Sequence, residues 1–220
     1  MPRILETELM SDPIQVASYS EYDKTPLIEL YVSKLNINPT GKVLDIGCGS
    51  GDYFAKLTEV YPNVQFTGID GSLEMLEKAK TKTPATVTLE HRAIPDATLT
   101  DTYDGVISSM MLHQLADPMC LWNTIKQVSR IGTKVLIMDM VRVEDEEERK
   151  KILDYYTQVD KYPQFRVDFD NSMKAAFTVE EVQQQLIDAK LSNLEVSTLQ
   201  LDASWHVLFI TGTVWLQITE

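Results

Sequence analysis

Three stretches of this chain carry residue types at spacings that do chemistry. The first is Asp45-Ile46-Gly47-Cys48-Gly49-Ser50-Gly51, an acid at the end of an apolar run followed by glycines at alternate positions. Such glycines let the backbone take φ > 0 and approach a ligand with no Cβ in the way. The helical stretch that follows, residues 53–60, aims free N–H groups at whatever the loop holds. The second is Gly68-Ile69-Asp70-Gly71-Ser72, where a carboxylate closing the next apolar run accepts both hydroxyls of a ribose. The third is Met110-Met111-Leu112-His113-Gln114, which sets a histidine just past a later apolar run, in reach of a reacting group.

Spacing narrows what the glycine loop can hold. A dinucleotide fingerprint needs a glycine where Asp52 stands, and a P-loop needs a Lys-Ser/Thr pair that is absent after the loop. The acid-x-Gly-x-Gly-x-Gly pattern instead places Asp45 where it can bridge a cationic amino group, which a pyrophosphate does not offer.

The elements that must position these residues read as an alternation. Residues 43–46, 65–69, 86–91, 105–109 and 134–138 are short apolar runs of strand character. Between them, 51–60, 72–80 and 119–129 carry apolar side chains at helical spacing, as in Leu121, Trp122, Ile125 and Val128. Repeated strand then helix implies a parallel sheet with helices on both faces and a ligand beyond the carboxyl ends of the strands. Runs at 194–201 and 206–214 add a final antiparallel pair around Asp202-Ala203-Ser204-Trp205, after a helix opened by the capping box Thr178-Val179-Glu180-Glu181. The expected fold is therefore α/β, a Rossmann-like, doubly wound, mostly parallel seven-stranded sheet with an antiparallel C-terminal strand. A helical N-terminal lid, 1–38, with Tyr19, Tyr22 and Tyr31, and a cap insert, about 143–178, interrupt the alternation within a single expected domain, 1–220. The insert opens on an acidic run that reads as a solvated helix face and continues with Tyr155, Tyr156, Tyr162, Phe165, Phe169 and Phe177, enough aromatic surface to cap a pocket.

Composition sets the outer limits. A net charge of −13, from 20 Lys+Arg against 33 Asp+Glu in 220 residues, disfavours a nucleic-acid partner, and 44% apolar residues fill a sizeable core. Two cysteines, Cys48 and Cys120, suggest neither a disulfide framework nor a metal cluster, so a reducing cytoplasm is expected. No signal-peptide run and no membrane-length apolar window is present. A small-molecule partner, no membrane, and a monomer or homodimer are the expectations.

At these motifs the chain resembles the class I S-adenosylmethionine-dependent methyltransferases of the small-molecule type, over residues 41–140 and, in order of elements, to the C-terminus. The resemblance implies S-adenosylmethionine as cofactor. Asp45, Gly47, Cys48, Gly49 and Gly51 match the family's first motif against the methionine portion; Asp70 matches the ribose ligand; and Gly71, Ser72 and Met75 flank the adenine. Ala93 and Ile94 fall where the adenine edge is held, but Arg92 occupies the usual acidic place, so a backbone carbonyl or Asp96 is expected to replace that contact. Ser108 and Ser109 correspond to the segment near the sulfonium.

The implied reaction is in-line attack of an acceptor on the sulfonium methyl, with positioning supplying roughly 7–11 kcal/mol of the barrier. His113 has two readings, a general base or a structural histidine under the cofactor, and Tyr22 and Tyr155 are the other candidate catalytic groups. Substrate contacts are expected from Tyr19, Asp139, Arg142, Tyr156, Asp168 and Asn171. Arg142 either clamps a carboxylate or pairs with the acidic run at 144–148. The Asn/Asp-Pro-Pro-Tyr/Phe clamp of amide and nucleobase N-methylation is missing, and Asp139 is followed by Met140 where the magnesium-dependent catechol enzymes have Asn, so a metal-independent small-molecule reaction is expected. Two alternatives use the same cofactor: attack at another sulfonium carbon, releasing methylthioadenosine, or binding without catalysis.

Overall fold

The structure is a computed structural model that describes residues 3–6, 10–38, 40–157, 163–201 and 205–215. Tyr162 and the turn residues Asp202, Ala203 and Ser204 lie outside the described residues.

Seven strands form one sheet: β1 (Gly41–Ile46), β2 (Val64–Asp70), β3 (Thr88–His91), β4 (Tyr103–Ser109), β5 (Ser129–Met140), β6 (Glu195–Gln200) and β7 (His206–Thr213). Their spatial order is β3-β2-β1-β4-β5-β7-β6. Strands β1 to β5 pair in parallel, while β7 runs antiparallel to both β5 and β6. The central strands are buried along nearly their whole length, which is why they read as continuous apolar runs rather than alternating ones. The order reverses between β1 and β4, where Asp45 pairs with Ile107, and a crevice opens beyond the strand ends at such a switch point.

Local chemistry starts the helices where the chain needs them. Asp12 caps α1 (Pro13–Glu21) by accepting from the Ile14 and Gln15 N–H groups, and Ser72 caps α4 (Leu73–Lys82) by accepting from Met75 N–H. A break at Tyr22, Asp23 and Lys24 divides the expected N-terminal helix, and α2 (Thr25–Lys34) begins with Pro26 in its first turn. α3 (Phe54–Val60) starts beyond the expected position because Gly51 has φ +71°, outside the helical region. α5 (Met119–Val128) packs Leu121, Trp122, Ile125 and Val128 on one face of the sheet with α8 (Val179–Asp188), whose capping box between Thr178 and Glu181 is formed. The cap insert is two helices, α6 (Glu146–Tyr156) and α7 (Pro163–Ala175), and these cover the other face with α1 and α2. β5 starts at Ser129, ahead of the expected residue 134, because Ser129 pairs with Tyr103 across an irregularity in register. No helix among the described residues is long and apolar enough to cross a membrane.

Candidate active site

The glycine loop after β1 turns under the end of β2. Gly47 and Cys48 N–H both donate to the Ile69 carbonyl, at 2.8 and 3.0 Å, and Gly51 N–H donates to the Cys48 carbonyl. Gly47, Gly49 and Gly51 have φ of +73°, +54° and +71°, so only glycine takes these positions without strain. A Cβ on Gly47 would collide with the Met111 side chain, and one on Gly51 would meet Thr83 Oγ1 and Ala79. Asp70 ties the loop to α4: one oxygen accepts from Gly49 N–H at 2.7 Å, the other from Ser72 N–H at 2.8 Å. Burial raises the Asp70 pKa against these two hydrogen bonds. Asp45 is 5% exposed and has no cationic partner among the described residues; burial, then the charge of Asp70, push its pKa up to about 8. These groups line a cavity of about 600 Å³ with Tyr53 and Ser109. A second cavity of about 550 Å³ continues past Asp70 to Gly71, Ala93 and Ile94.

The N-terminal segment closes this end of the sheet. Lys24, 6% exposed, donates to Asp52 at 2.8 Å and to the Tyr19 carbonyl at 2.6 Å, and its ammonium lies 3.9 Å from the Tyr19 ring centroid. Asp52 also accepts from Lys82 and from Ser50 Oγ, so the residue in place of a dinucleotide glycine latches the lid to the loop. Behind the latch lies a third cavity of about 700 Å³, sharing Met10, Tyr19, Tyr53, Met110 and Gln114 with the loop cavity. Met110, the residue after β4, has φ +54°, a left-handed conformation rare for a long side chain and found at functional sites. His113 lines the third cavity while 3% exposed. Its Nδ1 lies 2.6 Å from Asp139 Oδ1, its backbone N–H donates to Asp139 Oδ2, and its Nε2 lies 3.7 Å from Glu6. Burial works against the imidazolium, but the Asp139 charge and hydrogen bond, aided by Glu6, outweigh it and raise the His113 pKa.

A glycine cradle, a carboxylate at the end of β2 and the strand order found here are joined by a match of residues 37–193 to the family described as Methyltransferase domain. The chain belongs to this family, the class I S-adenosylmethionine-dependent methyltransferases. It is similar to malonyl-(acyl-carrier protein) O-methyltransferase of Anoxybacillus flavithermus, 34% identical over 83 residues that make up 37% of this chain and 32% of that protein. It is also similar to phosphoethanolamine N-methyltransferase 1 of Arabidopsis thaliana, 29% identical over 116 residues, 51% of this chain and 23% of that one. The matched segment thus spans less than a third of either relative's length. In fold it is similar to a SAM dependent methyltransferase from Aquifex aeolicus, with TM-score 0.67, 19% identity and coverage of 91% of this chain and 98% of that one. The plantazolicin methyltransferase BamL gives TM-score 0.68 at 17% identity, with 91% and 92% covered.

The structure brings together most of the residues picked out from the sequence. Asp45, Gly47, Cys48, Gly49, Asp70 and Met75 line the loop cavity, and Gly71, Ala93 and Ile94 line its continuation. Tyr19, Tyr22, His113 and Asp168 line the third cavity. Others stand elsewhere. Gly51 faces α4 rather than a cavity, and Ser108 is fully buried with Oγ donating to the Ile46 carbonyl, leaving Ser109 as the lining serine. Tyr155 is 72% exposed on the outside of α6 and Asn171 is exposed on α7, so neither reaches the cavity. Tyr156 stacks edge-on with Trp205 behind the wall. Asp139 is held by His113, not offered to a substrate, and Arg142 donates to Glu181 at 2.7 Å with Glu144 at 3.6 Å, which removes it as a carboxylate clamp. Asp96 stands outside the lining of the cavity past Asp70: it accepts from Arg92 and Thr98, and the Thr98 hydrogen bonds hold its pKa at about 2. Sequence reasoning missed Arg3, Glu6 and Lys24, whose places depend on long-range contacts that no local pattern announces.

Proposed function

We propose that this chain transfers a methyl group from S-adenosylmethionine to a small-molecule acceptor bound in the 700 Å³ cavity, with His113 as general base. The observation that carries this reading is the shared wall: Tyr19, Tyr53 and Met110 border both the glycine-loop cavity and the cavity into which His113 looks. The residues fit the cofactor. The Gly47 and Gly49 turn leaves room for it, Asp70 would hold the ribose hydroxyls, and Asp45, a buried carboxylate lacking a cation, would hold the amino group. Bound there, S-adenosylmethionine supplies an electrophilic methyl carbon.

The protein's own work is positional and protonic. Tyr22, Phe165 and Phe169 stack in series along the far wall, with ring centroids 4.3 and 5.7 Å apart, and give the acceptor an apolar, water-poor bed. Asp139, 2.6 Å from Nδ1, fixes the proton on that nitrogen, leaving Nε2 on the cavity side as the proton acceptor. The aromatic lining of this cavity supports a small-molecule acceptor, and a relative named phosphoethanolamine N-methyltransferase is compatible with it.

The test is turnover of S-adenosylmethionine against a panel of amines, phenols and carboxylic acids. Acceptor-dependent release of S-adenosylhomocysteine that is lost in His113→Phe supports the reading. Methylthioadenosine released without any acceptor would move the attack to another sulfonium carbon and reject it.

A further inference from the structure

The segment before α1 is built into the acceptor cavity. Arg3 donates to the Ala175 carbonyl at the end of α7 and to the His113 and Leu115 carbonyls, the last two at 2.6 and 2.8 Å. Its guanidinium stacks 3.9 Å above the Phe177 ring, and Ile4 N–H donates to the Lys174 carbonyl. This anchor caps the carbonyl end of α7 with a cation and carries Glu6 onto the cavity face of His113.

Charge in the cavity does not balance. Lys24 shares Asp52 with Lys82, and His113 pairs with Asp139. Glu6 and Asp168 are left: Glu6 accepts from Ser172 Oγ at 3.1 Å and lies 3.7 Å from His113 Nε2, while Asp168 accepts from the Gln15 and Gln164 amides. Neither has a lysine or arginine partner among the described residues. Burial raises the Glu6 pKa, with the His113 charge and the Ser172 hydrogen bond opposing and Asp168 and Asp139 adding to it. The same cavity is lined by the aromatic side chains of Phe165, Phe169 and Trp205, which pack on one another as an apolar wall. Trp205, which also lines the cavity, is 2% exposed, and its indole N–H has no hydrogen-bond partner among the described residues.

We propose that the acceptor is an amine: its ammonium is recognised by Glu6 and Asp168, and its apolar body lies against the Phe165, Phe169 and Trp205 rings. Glu6 is the specificity-determining residue, and Arg3 is the positioning residue that places it. This rests on the methyltransferase reading above.

The experiment is calorimetric titration of the full chain, saturated with S-adenosylhomocysteine, by tyramine and by tyrosol, which differ only in carrying an ammonium or a hydroxyl on the same phenol. Tyramine is expected to bind about tenfold tighter or more, and Glu6→Gln to shrink that advantage to about threefold or less with S-adenosylhomocysteine affinity unchanged. Equal affinity of the two probes, no binding of either, or an advantage kept in Glu6→Gln would overturn the proposal. If Glu6→Gln does not fold, the comparison in the unaltered protein decides alone. Failure to bind S-adenosylhomocysteine at the outset would instead reject the methyltransferase reading beneath it.

Discussion

Gly47→Ala tests whether the loop geometry is the basis of the cofactor site. The residue sits at φ +73°, where an L-residue costs roughly 1–2 kcal/mol. The added Cβ would also run into Met111 Cγ and come within 2.9 Å of Met111 Cβ. Forcing that side chain aside adds about 1–3 kcal/mol of overpacking. The sum, about 2–5 kcal/mol, is a large part of the roughly 5–15 kcal/mol that keeps a domain folded. Met111 borders both parts of the cofactor crevice, so its displacement should weaken ligand binding as well as folding. The two contributions separate in a double-mutant cycle. On a Met111→Ala background the collision with Cγ is gone while the close approach to Cβ remains, so Gly47→Ala should cost less than in the unaltered protein but still at least the backbone part, roughly 1–2 kcal/mol, with a coupling below about 3 kcal/mol. Urea denaturation followed by circular dichroism gives the stabilities, and calorimetry with S-adenosylhomocysteine gives the affinities. A cost below about 0.5 kcal/mol, or the same cost with and without the Met111 side chain, would refute the geometry.

Three further outcomes follow from the site. Asp139→Asn should lower the His113 pKa and move the acidic limb of the pH–rate profile to lower pH, because the Asp139 carboxylate is the leading group that raises it; an unchanged histidine titration by NMR would contradict this. The stability that the His113–Asp139 pair contributes should be fully present below the unfolded histidine pKa and fade as pH rises through the raised folded value. Asp45, raised to about 8, is protonated at neutral pH and must lose its proton to pair with the ligand's amino group, so S-adenosylhomocysteine affinity should climb with pH and level off above about 8. The sign for the unliganded protein is the reverse, with stability falling as pH rises between the unfolded carboxyl pKa and about 8; a flat affinity profile with no proton release across buffers counts against the assignment. Tyr155→Ala should leave turnover unchanged and stability within about 0.5 kcal/mol, since the ring is 72% exposed; a tenfold loss of rate would return it to the site.

The parts of the molecule legible in the sequence are those set by local pattern. Buried central strands announce themselves as apolar runs, and the glycines at 47, 49 and 51 announce a turn because their φ values exclude other residues. Asp70 was legible as the carboxylate that closes β2 beside the glycine loop, because it stands at a strand end. The N-terminal contacts were not, since Arg3 meets His113 across 110 residues and Lys24 meets Asp52 across 28, separations that no window spans. In the cap insert, aromatic content pointed correctly to a pocket wall but not to which ring faces it. Phe165 and Phe169, one helical turn apart on α7, turn inward together, whereas Tyr155 and Tyr156, adjacent on α6, cannot share a face. Arg142 read equally as a clamp or a surface ion pair, and the choice was made by Glu181, a residue from a different helix.

The central claim is that the crevice beyond β1 and β2 holds S-adenosylmethionine through Asp70. Calorimetric titration with S-adenosylhomocysteine tests it most directly. The account predicts one equivalent bound to the unaltered protein and an affinity at least about tenfold weaker in Asp70→Ala, which loses the carboxylate that holds Gly49 and Ser72 as well as the ribose. No binding, or the same affinity in Asp70→Ala, would contradict it.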